Sequence, residues 1–293
     1  MLAILASKHS LSRMNKLTTE ARVRVISCLV EGNSIRATSR LTGVAINTVI
    51  KLLGDAGRAC SIYQDRAFRG LTCKKLQCDE VWSFVGAKEK NTTAETKAKG
   101  WGDCWTWTVL DADTKLIPCW YVGTRDAGAA LHFMHDLAGR LAHRVQLTTD
   151  GHKPYLTAVA DAFGGEIDYA TLTKIYGEGP KTEARYSPAQ CMGTRKALIT
   201  GKPEAAHVST SYVERHNLTI RMGNRRFTRL TNAFSKKVEN HEHMLALFFM
   251  YYNFCRIHQS LRVTPAMEAG IASHVWGLEE VVGLLAERQP KAA

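Results

Sequence analysis

The stretch Leu76-Gln-Cys-Asp-Glu-Val-Trp-Ser-Phe-Val85 decides the reading of this chain. Its β-branched and aromatic residues alternate as a pleated strand packed on one face requires. On that alternation Asp79 shares a face with Val81, Ser83 and Val85, while Glu80 points the other way with Trp82. A charge on an apolar strand face is costly unless it is paired or coordinates metal. Asp79 is therefore a candidate ligand, and Glu80 reads as a surface or ion-pair residue.

Working towards the C-terminus, Cys104–Leu110 and Leu116–Val122 read as two further strands, joined by the turn Asp111-Ala-Asp-Thr-Lys115 into an antiparallel meander. A helix is expected at Ala127–Ala142, a strand at Val145–Thr149, a helix at Pro154–Phe163 and a strand at Ile167–Leu172. This order is that of a ribonuclease-H-like α/β core: a mixed five-stranded sheet with flanking helices, placed at 76–270. A Gly-, Pro- and Lys-containing stretch interrupts it, giving an expected insertion at about 177–209. The chain then turns helical, with Met244–Phe254 as a core helix and Trp276–Arg288 as a terminal helix within a C-terminal segment, 271–293.

Working towards the N-terminus, 61–75 reads as a basic, irregular linker and 15–60 as an all-α domain. Residues 34–53 fit a helix-turn-helix: Ser39 is small where two helices cross, Gly43 supplies the positive φ of the turn, and Val44, Val49 and Leu52 seat the second helix. A preceding helix, Thr19–Val30, completes a three-helix unit. The second helix of the motif would enter the major groove, with Asn47, Thr48 and Lys51 facing bases or phosphates and Arg36 and Arg40 adding charge. A helical hairpin serving only as packing or a dimer contact is the competing reading. Residues 1–14 read as a disordered extension, with Met14 a plausible alternative start.

The charge balance favours a polyanionic partner. Thirty-nine Lys plus Arg against 27 Asp plus Glu give a net +12. The longest apolar run, Met244 to Tyr252, is far short of the ~20 residues that span a bilayer, so membrane partners are not expected. The eight scattered cysteines read as reduced packing residues of a cytoplasmic protein, and no zinc-ligand spacing stands out. Asn240-His-Glu-His243 is no better, since histidines two apart on a helix diverge.

Breaking or joining phosphodiesters needs an oxygen nucleophile and cover for charge at phosphorus, which two Mg²⁺ ions supply from a few carboxylates. Besides Asp79, Asp150 ends the strand Val145-Gln-Leu-Thr-Thr-Asp150 before Gly151 and Pro154; an ordinary helix cap is the alternative. Glu214, Asn217 and Arg221 recur at three and four residues on a helix that starts near Thr210 or Ser211. They suit a metal beside a phosphate chain, with an exposed polar face as the competing reading. His216 reads as exposed or DNA-facing.

Three blocks carry a resemblance: CDEVWSFVG (78–86), TTDGHKPY (148–155), and YVERHNLTIRMGNRRFTRLTNAFSK (212–236) followed by MYYNFCRIHQSL (250–261). Together they resemble the insertion-sequence-one transposases of the DDE superfamily, over about residues 76–270. The resemblance implies a DNA transposase with Asp79, Asp150 and Glu214 as catalytic, Mg²⁺-binding (or Mn²⁺-binding) carboxylates, and Asn217 and Arg221 close to DNA. Arg225 and Arg226, with Arg229, Lys236 and Lys237, would add phosphate contacts, each worth about 0.9 in the salt slope. It further implies double-stranded DNA as partner, both as element ends and as target. A homodimer or larger synaptic complex would act in a prokaryotic cytoplasm, associated with the nucleoid. The Cys-rich zinc element that members often carry near the N-terminus does not occur, which leaves the helix-turn-helix as the expected reader. A helix-turn-helix regulator without catalysis, a tyrosine recombinase and a nuclease of the same fold are the rivals.

Overall fold

A computed structural model describes residues 16–177, 190–228 and 231–286. The expected extension at 1–14, Arg229 and the tail beyond 286 lie outside the described residues. Two capped helices open the fold. Thr18 Oγ1 accepts from Ala21 N (3.2 Å) at the start of α1 (Thr19–Val30), and Ser34 Oγ accepts from Ala37 N (3.1 Å) at the start of α2 (Ile35–Thr42). Each hydroxyl satisfies an amide that a helix leaves unpaired. Gly43 closes α2 at φ 71°, a left-handed turn that suits glycine.

The next helix, α3 (Ile46–Ala67), is unbroken for 22 residues. Residues 61–67 are therefore helix, not the irregular linker expected there. The cause is a buried stripe, Val49, Leu52, Leu53, Ala56, Cys60 and Gln64, that keeps its three- and four-residue spacing past position 60. Arg66 and Arg69, which gave the segment its basic look, are exposed.

A six-stranded mixed sheet follows. Its strands and connecting helices are β1 (Lys75–Val85), α4 (Ala94–Ala98), β2 (Gly102–Asp111), β3 (Trp120–Gly123), α5 (Ala127–Ala138), β4 (Gln146–Thr149), α6 (Pro154–Phe163), β5 (Asp168–Tyr176) and β6 (Cys191–Thr200). The spatial order is β3-β2-β1-β4-β5-β6; β1, β4 and β5 run parallel, and the remaining pairs are antiparallel. A mixed sheet of this order with flanking helices is compatible with a ribonuclease-H-like fold.

Five strands were expected and six are present. β6 lies in the stretch expected to be an insertion and pairs with an extended β5. It is exposed on most positions, so it carries no hydrophobic alternation and is held by ladder hydrogen bonds instead. The expected third strand is also shorter. Leu116, Ile117 and Cys119 are buried, but Ile117 exchanges both backbone groups with the Asn253 amide (3.0 and 3.1 Å), and Pro118 has no N–H to give a ladder. Helix α5 stops at Ala138, before the expected Ala142, because Arg140 and Ala142 pair with the backbone of Leu71.

After the sheet come α7 (Ser211–Gly223), α8 (Val238–Met250) with a π-turn over Tyr251–Cys255, α9 (Pro265–Glu268) and α10 (Leu278–Gly283). On one sheet face, Trp107 of β2 meets Phe133 of α5 and Tyr155 of α6 at ring distances of 6.1 and 5.3 Å. On the other, Trp120 of β3 meets Phe249 of α8 at 4.7 Å. α3 crosses α8 at Gly57, and the buried Gln64 donates to Ala246 O (3.0 Å). One continuous hydrophobic core therefore joins α1 and α3 to the sheet.

Candidate functional site

β1 pairs with β4 only from Lys75 to Gln77, opposite Gln146 to Thr148. Beyond this point β4 ends at Thr149, and β1 continues with one edge open. Crevices at the carboxyl ends of parallel strands are where α/β sheets bind ligands. Here the crevice receives three carboxylates. Asp79, Glu80 and Asp150 each place a ligand oxygen so that all lie within 4.8 Å of one another.

Asp79 and Glu80 do leave opposite faces of β1, as alternation requires. Asp79 opposes Thr108 and turns towards α7, while Glu80 opposes Trp107 and turns towards α6. β2 occupies one side of them, but on the other side the β4 pairing has ended, and there both carboxylates come within reach of Asp150. Glu80 is a correction to the surface reading. Its side chain is 0% exposed, and it pairs with Arg125 (Nε to Oε2, 3.0 Å). Its Oε1 is buried and makes no hydrogen bond of ordinary geometry among the described residues, although the Tyr155 hydroxyl stands beside the Glu80 carboxyl. Arg125 also approaches Asp150 Oδ2 (3.6 Å) and lies over the Trp105 ring at 4.7 Å. The guanidinium thus reaches two of the three carboxylates. Among the described residues Asp79 has only amide donors, Asn217 Nδ2 and Glu80 N, which leaves a deficit of positive charge that a divalent cation would fill. Oxygen donors alone, one of them deeply buried, fit a hard ion such as Mg²⁺.

Burial pushes the Asp79 carboxyl up to about 7, with the neighbouring charges of Glu80, Asp150 and Glu214 adding to the shift. Burial also raises Glu80, against the Tyr155 hydroxyl and Arg125. A carboxyl whose folded value exceeds its unfolded one stabilises fully at low pH and loses that contribution as pH rises through the folded value. In EDTA, wild type should lose roughly 2 kcal/mol between pH 5.5 and 8 relative to Asp79→Asn. Urea unfolding of both proteins across that window is the measurement, and parallel profiles would rule the cause out. The buried His216 and His241, both depressed to about 3 chiefly by burial, act in the opposite sense below pH 6.5 and cancel in the comparison.

The other candidates separate clearly. Asn217 is buried on α7 and its Nδ2 donates to Asp79 Oδ2 (2.9 Å), so its amide orients the carboxylate. Glu214, one turn earlier, is not within the three-carboxylate cluster. It ion-pairs with Lys174 of β5 and accepts from Thr210 Oγ1 (2.7 Å). His216, expected at the surface, is instead buried between Phe249 and Tyr252. The α7 face holding Val213, His216, Asn217 and Ile220 is the packed one.

Arg36, Arg40, Asn47, Thr48 and Lys51 are all exposed on α2 and the first turns of α3. Lys51 pairs with Asp55 at 2.7 Å. Arg221, Arg225 and Arg226 are half-buried at and beyond the end of α7. His241 and His243 point apart, the first to Ser83 (3.3 Å) and the second against Gly57. Glu80, Arg125 and Lys174 were not expected in the site. The adjacent acids at 79 and 80 carried a partial signal, but nothing in the sequence brings Arg125 or Lys174 there.

No family model matches the chain, and no curated protein matches it. Among solved structures it is similar to a piggyBac transposase synaptic complex with hairpin DNA determined by cryo-electron microscopy. That similarity has a TM-score of 0.37 and 11% identity, covering 95% of this chain and 74% of that one.

Proposed function

We propose that this chain cuts and joins DNA strands by metal-dependent phosphoryl transfer, acting as a transposase on the ends of an insertion sequence. The observation that carries the reading is the convergence of Asp79, Glu80 and Asp150 at the open edge of β1, where Arg125 pairs with Glu80 and Asp150 but not with Asp79 among the described residues. A surface cluster of acids would shed its repulsion into water. Here burial of Glu80 keeps the repulsion in place, and a cation relieves it.

Asp79, Glu80 and Asp150 would hold a Mg²⁺ or Mn²⁺ ion. Such an ion supplies charge neutralisation at the scissile phosphate and makes an attacking hydroxyl more acidic. Asn217 fixes the rotamer of Asp79 through its hydrogen bond, which keeps the ligand geometry preorganised. Arg125 stands beside Glu80 and Asp150, where a guanidinium can pair with a phosphate oxygen of the DNA strand. Glu214 would join the carboxylates once Lys174 gives it up. α2 and α3, with the turn at Gly43, would act as the duplex-reading element, presenting Asn47, Thr48 and Lys51 to a groove and Arg36 and Arg40 to phosphates. Two element ends cut together imply a homodimer or a larger synaptic complex. None of the described helices is long and apolar enough to cross a membrane.

The test uses the full chain and a supercoiled plasmid carrying its gene with the natural flanking DNA. Mg²⁺ or Mn²⁺ should produce nicks that map to the gene's flanks, and EDTA should abolish them. Cleavage that persists in EDTA, or flank binding with no cleavage in either metal, would overturn the reading in favour of a covalent recombinase or a regulator respectively.

A further inference from the structure

At the far end of α7 from Glu214, about 15 Å along the helix axis at 1.5 Å per residue, lies a cleft of ≈ 700 Å³ between the α1–α3 helices and the segment that follows α7. None of the three clustered carboxylates lines it. Its size is within the range of pockets that enclose a small organic ligand, about 300–1,000 Å³.

Three of the residues lining the cleft carry buried polar atoms that have no hydrogen-bond partner among the described residues: Asn224 Nδ2, Arg226 Nε and Ser235 Oγ. Asn224 is 0% exposed and Ser235 3% exposed. Buried donors left unpaired cost about 1–3 kcal/mol each, and native structures leave few of them without a reason. Three around one cavity point to an acceptor that comes from outside the chain. Local geometry holds these donors in place. The Asn224 Oδ1 accepts from Arg226 N (3.2 Å), which keeps the amide nitrogen free, and Ser235 is fixed where its carbonyl accepts from Gly86 N (2.8 Å).

Charge and shape narrow the ligand class. Arg36, Arg225 and Lys236 also line the cleft, and no Asp or Glu does. Burial lowers Arg226 to about 10, which leaves its guanidinium charged at neutral pH. The acceptor is therefore an anion with several oxygens. One part of the wall is apolar, with Ile46 and Ile50 from α3, Met244 from α8, and Phe234, whose ring is supported by Phe84 at 4.8 Å; Asn33, Ser34, Thr231, Asn232 and Asn240 make the remainder polar. An inorganic anion would leave that wall uncovered, whereas a planar base would cover it.

We propose that this cleft binds a nucleoside phosphate unit, with the phosphate on Asn224, Arg226 and Ser235 and the base against Phe234 and the α3 isoleucines. Such a unit comes either from a free nucleotide or from an unpaired nucleotide of a DNA strand. The site is independent of the carboxylate chemistry, and its test excludes that chemistry.

The experiment is isothermal titration calorimetry of the full chain in EDTA with four probes: inorganic phosphate, thymidine, thymidine 5′-monophosphate and a 5′-phosphorylated tetrathymidylate. The monophosphate or the tetranucleotide is expected to bind at least tenfold more tightly than either phosphate or thymidine. Tighter binding of the monophosphate assigns a free nucleotide, and tighter binding of the tetranucleotide assigns a strand; both support the site. Asn224→Asp keeps the cap to Arg226 N but replaces the free donor with a like charge, and should weaken binding by tenfold or more. Ser235→Ala should weaken it by several-fold. Unchanged thermal unfolding of the Ser235 variant guards against a folding defect. Binding of phosphate and nucleotide with equal affinity, or wild-type affinity in both variants, overturns the proposal.

Discussion

Replacing Asp150 by Ala is expected to lower Mg²⁺-dependent cleavage of the flank-bearing plasmid by about 10³-fold, a loss of the size seen when one preorganised electrostatic contact at a reacting centre is removed. The reason is positional. Asp150 follows the last residue of β4 and is the one member of the cluster contributed by a strand other than β1. Without it, Asp79 and Glu80 remain on β1 with no ligand across the crevice. Binding to flank DNA should stay within a few-fold of wild type, since the exposed residues of α2 and α3 are distant in sequence and untouched. Cleavage within tenfold of wild type would remove Asp150 from the metal site.

The same assay ranks the remaining acids. Glu80→Gln keeps the shape and the hydrogen bond to Arg125 but removes a charge from the cluster. Glu214→Ala removes a carboxylate that Lys174 now neutralises. If Glu80→Gln is the more damaging change, the ion is held by the three residues found together. If Glu214→Ala is, then Lys174 releases Glu214 when DNA and metal bind, and the active arrangement is Asp79, Asp150 and Glu214.

The second large effect concerns stability. Gly57→Val should destabilise the protein by about 3 kcal/mol, the upper range for forcing volume into a packed contact. A Cβ on Gly57 would lie 2.5 Å from His243 Cα and Cβ and 2.6 Å from its carbonyl oxygen. Backbone atoms cannot rotate away, so α3 and α8 would have to part. Gly54 provides the control one turn earlier. A Cβ there has no neighbour closer than 3.6 Å, so Gly54→Ala should be neutral or gain up to about 1 kcal/mol from helix propensity. Thermal or urea unfolding of both variants is the measurement. Equal stabilities would mean that the helix crossing does not bind the N-terminal helices to the sheet.

Much of this architecture is legible in the sequence. Alternation in 76–85 predicts β1, and Pro154 at the first turn predicts the start of α6, because each signal is local. Asp79 and Asp150 are legible for a related reason: an acid on an apolar strand and an acid at a strand end followed by glycine are anomalies that need a cause. β6 is not legible, because an exposed strand defined by its partner's hydrogen bonds leaves no pattern of its own. The length of α3 is obscured by arginines on its exposed side. His216 and Asn217 mislead because polar residues usually face water, and here a tertiary contact overrides that tendency.

The sequence by itself determined the order of β1 to β5 with α5 and α6 between them, the faces of β1 from which Asp79 and Glu80 depart, and the glycine turn between α2 and α3. These follow from short-range sterics and the period of side chains along one element. Only the tertiary structure decided that Glu80 joins Asp79 and Asp150, that Glu214 is held by Lys174, and that Asn217 steadies Asp79. It also decided that three unpartnered donors surround one cleft. All of these depend on where β4 stops beside β1 and on how closely α7 and α8 approach the sheet, distances set by packing among residues far apart in the chain.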